Sequence, residues 1–169
     1  MAFHEAGHVL IHEIFDWPYT DVSVAEVGKE GVNYSYPDPQ KDSPAQEKLI
    51  YACICCAGAV AEDKFNFPAD TPREDLGKSF YLRNTEGSDY EKYSELNLPP
   101  MSSERIMDDI VIDMILENWD SVSEIAQALH AKKRLSSNDV KQTLVKANFM
   151  RSQESCMQSL LDIQKTLGI

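Results

Sequence analysis

The chain is short of positive charge and of long apolar runs. It has 16 lysines and arginines against 28 aspartates and glutamates, a formal net charge of −12. This balance argues against binding to nucleic acid or to anionic membrane surfaces, and it disfavours acidic substrates. The longest apolar run covers residues 49–61, which is shorter than the roughly 20 residues that a membrane-spanning helix needs. We therefore expect a protein without a membrane span.

Cysteine is also scarce. Three of the four cysteines, Cys53, Cys55 and Cys56, lie within the apolar run, and Cys156 is far from them in the sequence. Free cysteine that is buried behaves as a small apolar residue. We expect free thiols, a reducing compartment and a cytoplasmic location.

The most informative feature that is present is the segment HEAGH at residues 4–8, which has the pattern H-E-x-x-H. Histidines four residues apart lie on one face of a helix, so His4 and His8 can bind the same zinc ion. Glu5 then lies where it can accept a proton from a water whose pKa the metal lowers. The motif predicts a Zn²⁺-dependent peptide hydrolase with His4 and His8 as metal ligands and Glu5 as catalytic base.

The surroundings of the motif favour zinc binding over a helix with only a structural role. Apolar residues at 9–11 follow the motif, so the helix is at least half buried, and buried histidine or glutamate needs partners. Gly7 weakens a helix by about 1 kcal/mol relative to alanine, which indicates that another segment approaches closely there. His12 continues the spacing, but its Cα is about 12 Å along the axis from that of His4, too far to share an ion. The third ligand must come from elsewhere.

The whole pattern predicts a mainly α protein with a small β-sheet (α+β), in which a zincin-like motif helix is combined with a C-terminal helical bundle. Alternating residues predict two short strands at 21–28 and 31–36. Helices are predicted at 2–15, 44–65, 73–83, 103–118, 120–131, 137–147 and 150–167, and residues 84–100 are predicted to be irregular. The expected organisation is a zinc-peptidase core at 1–100 and a C-terminal helical subdomain at 101–169.

Two carboxylates are candidates for the third zinc ligand. Glu62 lies near the end of the long apolar helix, where small residues permit a close approach to the motif helix. Asp75 starts the next short helix, although an acidic residue there is also favoured by the helix dipole alone. The residues by themselves leave this choice open.

Four segments together resemble the peptidase domain of the FtsH-type ATP-dependent zinc metallopeptidases. HEAGH at 4–8 is the family's own motif, and the strand pair at 21–36 is similar to its strand segment. AGAVAE at 57–62 resembles the family's G-G-R-x-A-E, and EDLGKS at 74–79 resembles the start of its N-D-L-x-x-A-T. The resemblance covers roughly residues 2–147. It implies that Asp75 is the third zinc ligand and that Glu62 orients a ligand, as carboxylates commonly do for zinc-bound histidines.

The chain also departs from that family, which carries an ATPase module and a membrane anchor. The sequence has no Walker motif G-x-x-x-x-G-K-[ST]. We therefore expect an endopeptidase acting on flexible or unfolded polypeptides, as a possible homo-oligomer or with a separate partner protein. The alternatives are a catalytically inactive, zinc-stabilised binding or regulatory module, and a metallohydrolase of non-peptide amides.

Overall fold

The computed structural model describes residues 1–24, 31–34, 38–67, 71–82, 87–147, 149 and 153–169. In chain order, the elements are α1 (Ala2–Phe15), β1 (Tyr19–Ser23), β2 (Gly31–Tyr34), α2 (Ala45–Asn66), a 3₁₀ turn (Arg73–Asp75), α3 (Ser79–Leu82), α4 (Asp89–Glu95), α5 (Ser102–Ile106), a π-helical segment (Met107–Val111), α6 (Ile112–Glu117), α7 (Trp119–Lys132), β3 (Arg134–Ser136), α8 (Ser137–Lys146) and α9 (Gln153–Leu167). The fold is mainly α with a small antiparallel sheet, which confirms the predicted α+β class. No helix among the described residues is both long enough and apolar enough to cross a bilayer.

Helix α1 carries the H-E-x-x-H motif and is buried along most of its length. From Glu5 to Phe15, every residue except Glu13 is buried. The helix ends at Asp16, which has a left-handed backbone with φ of 54° and donates its N–H to the His12 carbonyl. The cap ends the helix at Phe15, and the bounds of α1 are those predicted, 2–15.

Helix α1 crosses α2 at very short range. A Cβ on Gly7 would lie 2.5 Å from the Ala57 carbonyl oxygen and 2.8 Å from the Ala61 Cβ. Because such distances are well inside van der Waals contact, only glycine permits this crossing. The prediction that another segment approaches the helix at Gly7 is confirmed, and the crossing sets the C-terminal half of α2 beside the motif.

The sheet has the strand order β2-β1-β3 and is antiparallel throughout. Val22 in its central strand pairs with Val32 on one side and with Leu135 on the other. Strands are present in both predicted segments, as Tyr19–Ser23 and Gly31–Tyr34. Residues 25–30 and 35–37, which include the end of each predicted strand, lie outside the described residues. Strand β3 was not predicted, because three residues are too few to establish an alternating pattern.

The segment after α2 differs from the prediction. The helix expected at 73–83 is wrong: the chain forms the 3₁₀ turn, passes through Gly77 with φ of 84°, and only then forms the short α3. A right-handed helix cannot contain that backbone conformation. The irregular stretch expected at 84–100 is also wrong, because it contains α4. Ser88 caps α4 by accepting a hydrogen bond from the Glu91 N–H at 3.2 Å.

The C-terminal half supplies support for the motif helix. The helices predicted at 103–118, 120–131 and 137–147 are confirmed to within one residue at each end, with a π-helical segment inside the first. The start predicted for the last helix, residues 150–152, lies outside the described residues. Helix α7 packs against α1, and β3 pairs with β1. Residues on both sides of position 100 therefore contribute to one apolar core.

Candidate metal centre

Three side chains converge at the exposed end of α1. His4 Nε2 lies 2.9 Å from Asp89 Oδ2, His8 Nε2 lies 3.2 Å from the same oxygen, and the two nitrogens are 3.1 Å apart. Of the residues that the structure describes, these three form the group of ligand atoms that could hold a metal ion. The histidine side chains are 12% and 6% exposed and that of Asp89 is 22% exposed, so the group is largely buried but open on the side of α4.

The outer nitrogens of both rings are bound by acceptors. His8 Nδ1 lies 2.6 Å from the Ile54 carbonyl oxygen, and His4 Nδ1 lies 3.2 Å from Glu62 Oε2. A carbonyl can only accept, so His8 carries its proton on Nδ1, and the Glu62 carboxylate favours the same tautomer for His4. In neutral rings with this tautomer, both Nε2 lone pairs point toward Asp89 Oδ2.

Three acceptor atoms so close together require a positive charge or a proton among them. Burial opposes the charged form of His4, yet its hydrogen bonds with Asp89 and Glu62 raise its pKa to about 9. Burial likewise disfavours the Asp89 carboxylate, but the charge of His8 and the hydrogen bonds with His4 and His8 hold its pKa well below its usual range. The site is therefore built to keep a carboxylate ionised next to cationic charge.

The spacing and chemistry of these atoms fit zinc. Ligands about 2.0–2.1 Å from a tetrahedral zinc ion are about 3.3–3.4 Å from one another. The three separations of 2.9, 3.2 and 3.1 Å are close to this value, so a small outward shift of each side chain would accommodate the ion. Two imidazoles and one carboxylate are a common donor set for catalytic zinc.

Glycine at position 58 makes room for the two rings. A Cβ on Gly58 would lie 2.5 Å from His8 Nε2 and 2.7 Å from His4 Cε1. Every larger residue would therefore occupy the space in which the ligand nitrogens lie. Gly58 therefore places the backbone of α2 directly against the two histidines of the motif on α1.

We expect Gly58→Ala to lower the zinc affinity by at least 10-fold, since the added methyl group must displace His4 or His8 from the geometry above. Isothermal titration of the metal-free protein with zinc measures this directly. Gly7→Ala is the matched control, because it adds a methyl group at the same helix crossing but against Ala57 and Ala61. Both variants should melt at lower temperature. Equal zinc affinities for the two variants would show that Gly58 is a packing residue only.

Glu5 lies on the same helix as both histidines and is only 5% exposed. Burial is the main cause that raises its pKa, opposed by the charges of His8 and His4. Its position next to the ligands is the one that the motif predicts for the base.

Glu62 and Asp75, the two carboxylates considered for the third ligand, occupy very different positions. Glu62 contacts His4 Nδ1, which is the place expected for a residue that orients a ligand. Asp75 forms an ion pair with Lys78, and its side chain is 41% exposed. The structure brings Asp89, and not Asp75, to the two histidines. The 3₁₀ turn that carries Asp75 ends at Leu76, whose backbone is extended, and Gly77 follows with a left-handed backbone. Helix α4 packs against α2 and places Asp89 beside the two histidines.

The sequence does contain a signal for Asp89. Ser88 and Glu91 have the spacing S-x-x-E of a capping box, which marks a helix start with Asp89 in its first turn. His12 is not part of the group formed by His4, His8 and Asp89, in agreement with its distance along the helix. The sequence suggests a partly buried histidine, but the side chain is fully buried. Its Nδ1 lies 2.9 Å from the Trp17 carbonyl oxygen, and burial lowers its pKa to about 4.

An apolar groove lies beside Glu62, the carboxylate that contacts His4. It has a volume of about 430 Å³, and its wall includes Phe3, Phe65, Ala126 and Glu62. The rings of Phe3 and Phe65 stack with centroids 4.0 Å apart, and Phe65 is 56% exposed. The groove thus offers an accessible aromatic surface. Glu62 both lines this groove and contacts His4.

Comparisons with known proteins give no independent identification: no protein-family model matches the chain, and no curated protein matches it. The resemblance to the FtsH-type peptidase domain therefore depends on the segments quoted above. The convergence of His4, His8 and Asp89 does not depend on that resemblance, because it is given by the atomic positions.

Proposed function

We propose that the protein is a zinc-dependent endopeptidase that cleaves flexible or unfolded polypeptides. The observation that carries the proposal is the convergence of His4 Nε2, His8 Nε2 and Asp89 Oδ2, with the Glu5 carboxylate on the same helix. Three protein ligands and a neighbouring carboxylate are what a catalytic zinc site needs, whereas a structural site is usually closed by four protein ligands. The H-E-x-x-H motif and the resemblance to FtsH-type peptidases support the same activity.

Each residue of the centre has a separate task in this proposal. His4, His8 and Asp89 would hold Zn²⁺, which as a Lewis acid polarises the scissile carbonyl and activates water. Glu5 accepts the proton of the attacking water and passes it to the leaving amine. The Ile54 carbonyl and Glu62 keep the two imidazoles in the tautomer that leaves Nε2 free to bind.

The proposed substrate class follows from the surface around the centre. Unfolded chains present apolar and aromatic side chains that folded proteins bury. The groove with Phe3 and Phe65 offers a complementary surface that extends to Glu62, which contacts His4. We infer that a peptide with apolar residues near the scissile bond binds better than a strongly acidic one, given the net charge of −12. Cytoplasmic action is part of the proposal, in line with four buried free cysteines.

The test is cleavage of an unfolded substrate by the zinc-loaded protein. We expect fragments with internal cleavage sites from carboxymethylated casein and none from a stably folded control protein. Removal of the metal with 1,10-phenanthroline should abolish cleavage, and addition of equimolar zinc should restore it. A protein that binds one zinc per chain but cleaves neither casein nor a library of unstructured peptides would instead be a zinc-stabilised binding module.

A further inference from the structure

The two oxygens of Asp89 have different environments. Oδ2 faces both histidine nitrogens, at 2.9 and 3.2 Å. Oδ1 faces the ammonium group of Lys92, whose Nζ lies 3.7 Å away, one turn later on α4. Lys92 is 35% exposed, so its charge is partly desolvated and stays close to the centre.

This difference matters because a carboxylate can bind a metal through one oxygen or through both. Zinc in proteins is usually four-coordinate. Two imidazoles and a single carboxylate oxygen leave one position for water or substrate. A second oxygen from the same carboxylate would compete for that position.

We propose that Lys92 is a positioning residue that holds Asp89 Oδ1 away from the metal and so keeps the fourth coordination position open. Its ion pair with Oδ1 leaves Oδ2 as the Asp89 oxygen that faces the Nε2 atoms of His4 and His8. The catalytic consequence rests on the proposed function, but the effect on metal coordination does not. Lys92 needs no contact with substrate for this role.

The test uses Lys92→Met in the full chain loaded with Co²⁺, whose visible spectrum reports its ligands. Imidazole is added as a neutral ligand for the open position, so that loss of the lysine charge does not itself weaken its binding. We expect the variant to bind one Co²⁺ per chain, as the wild type does, but to bind imidazole at least 10-fold more weakly. For peptide cleavage, we expect kcat to fall by about 10- to 100-fold with little change in KM.

The chain supplies a closely matched control. Lys78 also pairs with an aspartate three residues earlier, Asp75, and is exposed. Lys78→Met should therefore change neither the imidazole titration nor kcat, and Lys92→Arg should restore both because it retains the charge.

Unchanged imidazole binding in Lys92→Met would overturn the proposal, even if kcat fell. If the wild type cleaves no peptide at all, the endopeptidase proposal fails, while the Co²⁺ titration still decides the role of Lys92.

Discussion

Glu5→Gln is expected to abolish peptide cleavage while the protein continues to bind one zinc ion. The substitution keeps the size of the side chain but removes its ability to accept a proton. A positioned general base typically contributes about 10²- to 10⁴-fold to the rate, which corresponds to about 3–5 kcal/mol of transition-state stabilisation. The positions of His4 and His8 should be unaffected, since these residues are held by Glu62, Asp89 and the Ile54 carbonyl.

The measurement combines zinc analysis of the purified variant with the casein assay. Glu13→Gln is the control, because Glu13 lies on the same helix but contacts Tyr19 at 2.8 Å and not the metal centre. A glutamine at position 13 can still accept that hydrogen bond, so activity should be retained. Undiminished cleavage by Glu5→Gln would show that some other group activates the water, and the assignment of the motif's glutamate as base would be wrong.

The motif helix and its contact with α2 could be predicted from the sequence because both depend on local patterns. The four-residue spacing of His4 and His8 fixes them on one face of any helix. Gly7 stands among apolar residues, where the cost of glycine indicates a close neighbour, and the Ala57 carbonyl is that neighbour. Glu62 could be named as a candidate ligand for the same reason, since it directly follows the small residues of α2. Its role in orienting a ligand was implied only by the family resemblance.

The carboxylate that joins His4 and His8 could not be identified in this way, because its identity depends on which later segment of the chain lies next to α1. EDLGKS at 74–79 keeps both the aspartate and the leucine of the family segment N-D-L-x-x-A-T. SDYEKYS at 88–94 keeps the aspartate but replaces the leucine with Tyr90, so sequence likeness favours Asp75. In the folded chain, the helical turn that carries Asp75 ends at the extended Leu76, and Gly77 follows with φ of 84°. The side chain that reaches His4 and His8 is that of Asp89.

The contacts of Lys92 and Gly58 with the candidate metal centre could not be predicted from the sequence either. Lysine three residues after an aspartate on a helix is common and usually forms a weak surface pair. The pair of Lys92 with Asp89 differs from such pairs because Asp89 also contacts His4 and His8. Likewise, Gly58 within an apolar helix indicates close packing, but only the three-dimensional arrangement identifies the neighbours as two ligand rings.

A comparison of Asp89→Ala with Asp75→Ala tests the ligand set, and we expect opposite results. Loss of Asp89 leaves two imidazoles, which cannot by themselves complete a catalytic zinc site. Changes to residues that merely support a ligand already cost about 10- to 100-fold in metal affinity, so removal of the ligand itself should cost at least about 100-fold. Asp75→Ala removes only an exposed pair with Lys78, which is worth about 0–1 kcal/mol, and zinc affinity should stay within about twofold of wild type.

Zinc titration followed by calorimetry measures both affinities, and thermal unfolding gives an independent readout. A ligand that binds the folded state at about 100 times its Kd adds about 2.7 kcal/mol to the free energy of unfolding. Saturating zinc should therefore raise the melting temperature of wild type and of Asp75→Ala alike, but scarcely that of Asp89→Ala. If Asp75→Ala loses zinc and Asp89→Ala keeps it, the ligand set implied by the family resemblance is correct and Asp89 is a hydrogen-bond partner of the histidines. Because both variants remove one carboxylate from a helical turn, a difference between them reports on coordination and not on net charge.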